Sequence, residues 1–188
     1  MHIVLIRHGK PAVSTQNPIT SFEFGQWIDS YNEAELCDSV QPPEELFQLA
    51  QGCNSVVCSN LHRSLSSAKR LGIKEDKIIC DNQFREMEMP WGKLSGLKLR
   101  PTYWAIIFRL LWLAGYSKNS ESFKDATVRA RQAALTLESL ATNKHSVLFV
   151  GHGMLNRVIA ESLIKRGWKT KSKLGSKYWG IGIFEREV

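Results

Sequence analysis

Two short segments of the sequence each place a histidine directly after an apolar run and beside glycine. Arg7-His8-Gly9 follows Ile3–Ile6, and Gly151-His152-Gly153 follows Val147–Val150. Both runs have the length and composition of buried strands, and a glycine lets the backbone turn sharply beside a ligand. A buried guanidinium needs an anionic partner, and a neutral imidazole can act as a nucleophile. The repeated pattern indicates an anion site at strand ends, although a strand-end histidine can also be purely structural.

Two further segments supply a second arginine and a carboxylic acid. Arg63 falls about one helical turn after the apolar run Ser55–Cys58, which places it on the same side of the sheet as the histidines. The alternative is an ordinary solvated arginine on a helix. Glu86 and Glu88 lie in a loop-like segment. Either could be a proton donor, and the alternative is that the two are a surface charge pair. Arginine forks bind phosphoryl oxygens, imidazole can attack phosphorus, and a carboxylic acid can protonate the leaving oxygen. The set suits phosphoryl transfer to water, without a metal or other cofactor.

The elements that position these residues alternate between strands and helices. Strands are predicted at Ile3–Ile6, Ser55–Cys58, Lys77–Cys80, Ser146–Val150 and Tyr178–Phe184. Helices are predicted to begin at Pro42–Glu45 and to cover Ser59–Leu71 (capped by Ser59), Glu121–Ala141 and Met154–Lys165. This alternation predicts an α/β fold of three layers, α/β/α, with a mostly parallel central sheet. In such folds the active site lies beyond the carboxyl ends of the strands.

Length and composition limit the class of protein. With 188 residues, 43% apolar and 23% charged, the chain is predicted to form one domain over 1–188, and disorder and a disulfide scaffold are excluded. The four cysteines show no Cys-x-x-Cys spacing, which favours reduced thiols in the cytoplasm and argues against a zinc site. The apolar runs are too short for a signal peptide or a membrane span.

The net charge of +7 is unevenly distributed, because residues 1–50 carry a net charge of −5 and residues 51–188 carry +12. The basic run 165–177 is predicted to be a solvated loop, with steering of polyanionic substrates as the alternative. The run argues against nucleic acid as a partner, because Trp168 is the one aromatic residue in it that could stack on a base.

The segment 101–120 contains an unusually apolar stretch, 103–113. An ordinary core helix is one interpretation. The others are a lid-like segment that accepts an apolar part of the substrate, and a surface patch for a homodimer or a membrane surface. The second interpretation leads to the hypothesis that the substrate has a hydrophobic part.

The motifs, in order and spacing, resemble the histidine phosphatase superfamily, also called phosphoglycerate mutase-like. The resemblance covers nearly the whole chain. The matching pieces are Arg7-His8-Gly9, Ser59–Arg63, Phe84-Arg85-Glu86, Glu121–Asp125 with Arg129, and Val150–Gly153.

The resemblance implies a role for each matching residue. His8 would be the nucleophile that becomes phosphohistidine. Arg7, Arg63 and His152 would bind the phosphate and stabilise the transition state. Glu86 would donate a proton to the leaving group, with Glu88 as the reserve proton donor. The partner would be a small phosphorylated substrate or inorganic phosphate.

The sequence also departs from the family pattern. Lys10-Pro11 replaces an acidic and a small hydroxyl residue, and Pro90–Lys93 replaces the usual Gly-x-Trp-Glu-Gly after the acid. Ser14 and Met154 stand where mutases carry asparagine. These departures favour a phosphomonoesterase over a mutase. A phosphoprotein phosphatase acting on phosphohistidine, and a catalytically weak module that binds a phosphorylated ligand, are the alternatives.

Overall fold

The computed structural model describes residues 1–94 and 96–187. The strands in these ranges are β1 (His2–Arg7), β2 (Ile19–Thr20), β3 (Ser55–Cys58), β4 (Ile78–Cys80), β5 (Lys98–Leu99), β6 (Ser146–Gly151), β7 (Lys169–Ser172) and β8 (Ile181–Glu185). The helices are α1 (Glu23–Glu33), α2 (Glu44–Gln51), α3 (His62–Arg70), α4 (Pro101–Leu113), α5 (Phe123–Lys144) and α6 (Gly153–Lys165). No helix in the described ranges is long and apolar enough to cross a membrane.

The central sheet has the strand order β4-β3-β6-β1-β8-β7. The first four strands are parallel, and β8 and β7 add two antiparallel pairings at one side. Ile6 and Cys58 both lie beside Val150, so β1, β6 and β3 end at the same level. The predicted α/β fold with a mostly parallel sheet is confirmed, and the register brings the segments after three strands to one edge.

Both faces of the sheet are covered by helices. Ile3 and Leu5 pack with α5 and α6 on one face, whereas Val4 and Ile6 pack with α2 and α3 on the other. Successive residues of a strand point to opposite faces, so a strand covered on both sides must be apolar throughout. This explains why the run Ile3–Ile6 is continuous rather than alternating.

Helices α1 and α4 form a third apolar cluster beside the sheet. Phe24 of α1 packs with Trp104 and Phe108 of α4, and all three side chains are buried. The core-helix interpretation of 103–113 is therefore right for one side of α4. The other side exposes four large apolar residues, Tyr103, Ile106, Leu110 and Leu113.

Three local predictions need correction. Helix α3 begins at His62 rather than at Ser59, and its N-cap residue, Leu61, makes no side-chain capping bond. Strand β8 begins at Ile181, because the chain before it turns through Trp179 at a φ of 60°. The basic run contains β7, which lies at the sheet edge with all four residues exposed. Lysines on an edge strand discourage pairing with another chain.

Candidate active site

A pocket of about 670 Å³ opens beyond the carboxyl ends of β1 and β3. Its walls include five of the residues singled out in the sequence, Arg7, His8, Arg63, Glu86 and Glu88. His152 is fully buried beside His8, with 5.1 Å between the ring centroids. The structure thus brings together every candidate residue, from positions up to 145 apart in the sequence.

The ring of His8 is held in one tautomer. Its Nδ1 lies 2.7 Å from the carbonyl oxygen of Gly9 and must donate to it, which leaves a lone pair on Nε2. That lone pair accepts a hydrogen bond from Nε of Arg63 at 3.2 Å. Burial, followed by the charge of Arg63, holds the pKa of His8 well below its usual value. His8 is therefore a neutral imidazole with its Nε2 lone pair beside a guanidinium.

His152 is held from behind by Ser59. The Ser59 Oγ lies 2.7 Å from Nε2 of His152. Ser59 was predicted to cap α3, but the N-cap residue is Leu61, and Ser59 contacts His152 instead. Burial is also the main cause that lowers the pKa of His152 well below its usual value. Within residues 1–94 and 96–187, the buried Nδ1 of His152 and Nε of Arg7 have no hydrogen-bond partner. Nε of Arg7 is a donor available to an anion at the inner end of the pocket, and so is Nδ1 of His152 in the tautomer whose Nε2 accepts from Ser59.

Two glycines in the histidine motifs are required by close packing. A Cβ added to Gly9 would lie 2.5 Å from the indole ring of Trp179. At Gly151 it would clash with Oδ1 of Asn156, the atom that accepts the backbone N–H of His152. The Asn156 amide also donates to the carbonyl of Ile6, which ties α6 to β1. These glycines allow the two strand ends and α6 to approach closely enough to hold the imidazoles side by side.

Each arginine of the site lies over a tyrosine ring. The guanidinium carbon of Arg7 is 4.4 Å from the ring centroid of Tyr178, and that of Arg63 is 4.9 Å from Tyr31. The two phenol oxygens are 3.5 Å apart. Arg63 also donates to the Asn32 side chain at 2.8 Å. Stacking and hydrogen bonding restrict the rotamers of both arginines, which reduces the entropy lost when they bind an anion.

The two candidate carboxylates have different surroundings. Both oxygens of Glu86 accept backbone N–H groups at the start of α6, from Met154 at 3.2 Å and Leu155 at 3.0 Å. Glu88 instead accepts the backbone N–H of Glu121 at 2.8 Å. Gly153 lies beside both Arg7 and Glu86, since a Cβ added there would be 3.5 Å from Arg7 Nε and 3.7 Å from Glu86 Oε2. Glu86 is therefore the carboxylate placed next to a phosphate-binding candidate.

Helix α5 holds the loop that carries Glu86. The Arg129 guanidinium donates to the carbonyls of Gln83 and Arg85 at 2.9 and 2.8 Å, and to that of Glu86 at 3.4 Å. It is also paired with Glu121. The Glu121–Arg129 part of the resemblance thus has a structural role, which is to fix the acid-bearing loop.

The sequence pattern did not single out Tyr31, Asn32 or Tyr178. Tyr31 and Asn32 were missed because helix α1 was not predicted. The signal was present, since Phe24, Trp27, Ile28 and Tyr31 are spaced i, i+3, i+4, i+7, as on one face of a helix. Tyr178 carried no such signal, because it lies in an irregular turn. Among the described residues, no group of three or more His, Cys, Asp or Glu could hold a metal ion.

The neutral, buried state of His8 and His152 predicts a loss of stability in acid. In the unfolded chain both rings bind a proton near pH 6.5, whereas in the folded protein their lowered pKa values keep them neutral. The unfolded state then binds more protons, so the free energy of unfolding falls as the pH drops below 6.5. Two protons give a slope of up to about 2.7 kcal/mol per pH unit. Urea unfolding between about pH 5.5 and 7.5 measures it.

Two variants control that experiment. His8→Gln is expected to remove about half of the slope, whereas His62→Asn, at a partly exposed surface position, is expected to leave it unchanged. His2, whose pKa is also lowered by burial, adds to the slope in the same direction. A free energy of unfolding that is flat across this range would show that the two buried rings are protonated in the folded state.

Comparison with solved structures supports the fold. A Mycobacterium tuberculosis open reading frame product matches with a TM-score of 0.64 and 24% identity, over 99% of this chain and 91% of that one. A mycobacterial glucosyl-3-phosphoglycerate phosphatase matches with a TM-score of 0.54 and 19% identity, over 87% and 79% of the two chains. Its complex with inorganic phosphate matches with a TM-score of 0.52 and 19% identity, over 87% and 79%. No curated protein sequence matches the chain significantly.

The sheet order, the helix layers and the cluster at the strand ends are those of a phosphoglycerate mutase-like fold. The family model of the histidine phosphatase superfamily, branch 1, matches residues 3–187. The chain belongs to this superfamily, and the resemblance inferred from its motifs is confirmed.

Proposed function

We propose that this protein is a phosphomonoesterase that hydrolyses a small phosphorylated metabolite through a phosphohistidine on His8. The observation that carries the proposal is the state of the His8 ring, which is neutral and holds its Nε2 lone pair toward the pocket beside Arg63. A lone pair in that position is what attack on phosphorus requires. The solved complex of the mycobacterial phosphatase with inorganic phosphate is consistent with a phosphate-binding site in this fold.

In the first step, Nε2 of His8 attacks phosphorus and the bond from phosphorus to the leaving oxygen breaks. The hydrogen bond from Arg63 Nε moves from His8 to a phosphoryl oxygen, which frees the lone pair. Protonated Glu86 gives its proton to the leaving alkoxide, so a neutral alcohol departs. Phosphate is then bound covalently to His8, and Glu86 is a carboxylate.

In the second step, the Glu86 carboxylate takes a proton from water as the water oxygen attacks phosphorus. The phosphorus–nitrogen bond breaks, inorganic phosphate leaves, and Glu86 is protonated again. Arg7, Arg63 and His152 stabilise the charge that develops on the phosphoryl oxygens. For neutral His152 to donate from Nδ1, its Nε2 must accept a hydrogen bond from the Ser59 hydroxyl, which is the role we assign to the 2.7 Å contact between them.

Trapping the phosphoenzyme tests this proposal. The chain is mixed with a ³²P-labelled aryl phosphate in excess chelator, quenched in base and digested. We expect label on the peptide that contains His8, stable in base and lost in acid, as is typical of a phosphoramidate. Label that is stable in acid, or turnover that stops in chelator, would show a different nucleophile or a metal-dependent route. Binding of phosphate without any label or turnover would favour the phospho-ligand-binding module.

A further inference from the structure

The pocket is much larger than a phosphate group needs. Its 670 Å³ falls within the range of about 300–1,000 Å³ typical of sites that enclose a whole small molecule. The candidate catalytic residues occupy its inner end. The remaining volume lies between helices α1 and α4, which therefore contact whatever group is esterified to the phosphate.

The α1 wall of the pocket is a stack of aromatic rings. Phe108 of α4 stacks on Phe24 at 5.5 Å, Phe24 on Trp27 at 5.6 Å, and Trp27 on Tyr31 at 5.2 Å. Tyr31 in turn lies under Arg63. Phe24, Trp27 and Tyr31 all line the pocket. An apolar surface therefore runs without interruption from the outer part of the pocket to a phosphate-binding candidate.

The α4 wall is apolar as well. Ile106 and Leu110 line the pocket although they are 58% and 62% exposed, so they form its rim. Trp91, from the segment after Glu86, contributes a third apolar surface, and its ring packs against the backbone of Gly25. When an apolar ligand covers these exposed aliphatic side chains, their apolar surface is removed from water, which is favourable.

Apart from Asp29 of α1 and Arg109 of α4, the charged lining residues belong to other elements. Arg85 and Arg157 belong to the acid-bearing loop and to α6. Arg109, the charged residue that α4 contributes, has its guanidinium engaged with the carbonyls of Met87 and Glu88. A sugar lying between α1 and α4 would find polar partners in Asp29 and Asn32 of α1. Most of its hydroxyl groups would exchange water for apolar partners, which is unfavourable.

We propose that the substrate is a phosphomonoester whose alcohol part carries a large apolar group, and that this group lies between α1 and α4. This inference rests on the proposed phosphatase function and names its substrate class. It also specifies how the lid-like segment 101–120 would act, since Ile106 and Leu110 contact the ligand while Trp104 and Phe108 hold the helix in place.

A matched pair of substrates tests the inference without a difference in leaving-group reactivity. Phenyl phosphate and 4-butylphenyl phosphate release phenols of nearly equal acidity. Each buried methylene is worth roughly fourfold, so a butyl group that is half covered is expected to raise kcat/KM about tenfold. Equal kcat/KM values for the two substrates would overturn the inference while leaving the phosphatase proposal intact.

Two leucines of the same helix provide the matched variants. Leu110→Ser removes an apolar group from the pocket rim, and Leu113→Ser removes the same group, 50% exposed, from a position that does not line the pocket. We expect Leu110→Ser to reduce the preference for the butyl substrate, measured as the ratio of the two kcat/KM values, by about fourfold or more. Leu113→Ser is expected to retain the preference, and an equal loss in both variants would contradict the assignment.

Binding provides a readout that does not depend on turnover. Phenylphosphonate and 4-butylphenylphosphonate, titrated calorimetrically, are expected to differ in Kd by about tenfold in the same direction. If the chain proves inactive, this difference and its loss in Leu110→Ser still support the apolar subsite, while the phosphatase proposal fails. Equal Kd values overturn the subsite whether or not the chain is active.

Discussion

Replacing His8 by alanine is expected to reduce kcat for hydrolysis of an aryl phosphate by about 10⁴-fold or more. The variant lacks the nitrogen that would carry the phosphoryl group, so no covalent intermediate can form. Arg63, which we propose binds phosphate, is retained, so phosphate affinity is expected to persist while turnover is lost. Steady-state kinetics together with phosphate titration measure both quantities on the same preparation.

The control for this variant is His62→Ala. His62 is adjacent to Arg63 in sequence but contacts Ser66 and Glu35 at the surface. We expect its removal to leave turnover essentially unchanged. If His8→Ala keeps substantial activity, His8 is not the nucleophile. If His62→Ala loses as much activity as His8→Ala, the loss reflects a general structural effect.

Replacing Glu86 by glutamine is expected to have an effect that depends on the leaving group. For an alkyl phosphate, which needs a proton on the departing oxygen, kcat/KM is expected to fall by about 10²–10⁴-fold. For 4-nitrophenyl phosphate, whose leaving group departs as a stable anion, kcat/KM is expected to change little. Because water activation is also impaired, that substrate is expected to show a burst of nitrophenol followed by slow turnover.

Glu88→Gln is the matched control for the acid. Its carboxylate accepts the backbone N–H of Glu121, and the glutamine amide oxygen can accept the same bond. We expect neither substrate to be affected. A leaving-group dependence in Glu88→Gln but not in Glu86→Gln would transfer the proton-donor role to Glu88.

The candidate site was largely predictable because its residues lie next to regular elements. His8 and His152 follow buried strands whose apolar runs are unambiguous, and in a parallel sheet the carboxyl ends of such strands lie at the same edge. The prediction that these two histidines meet therefore needed only the order of strands and helices. Arg63 followed from the same reasoning, since it lies in the first turn of the helix after β3.

Other parts of the site could not be predicted in this way. Ser59 was expected to cap a helix, because serine at that position suits both roles, and a distant contact with His152 decided between them. The choice of Glu86 over Glu88 as the carboxylate beside Arg7 depends on the N–H groups at the start of α6. These lie 68 and 69 residues away in sequence.

The sequence by itself determined the α/β layers, the strand ends and the chemistry available at them, because apolar periodicity and strand-end motifs are local properties. The tertiary structure decided the His8 tautomer, the stacking of the arginines on Tyr31 and Tyr178, and the apolar part of the pocket between α1 and α4. Each of these depends on contacts between segments that are far apart in the chain. Their distances are fixed by the packing of whole elements, which no local pattern encodes.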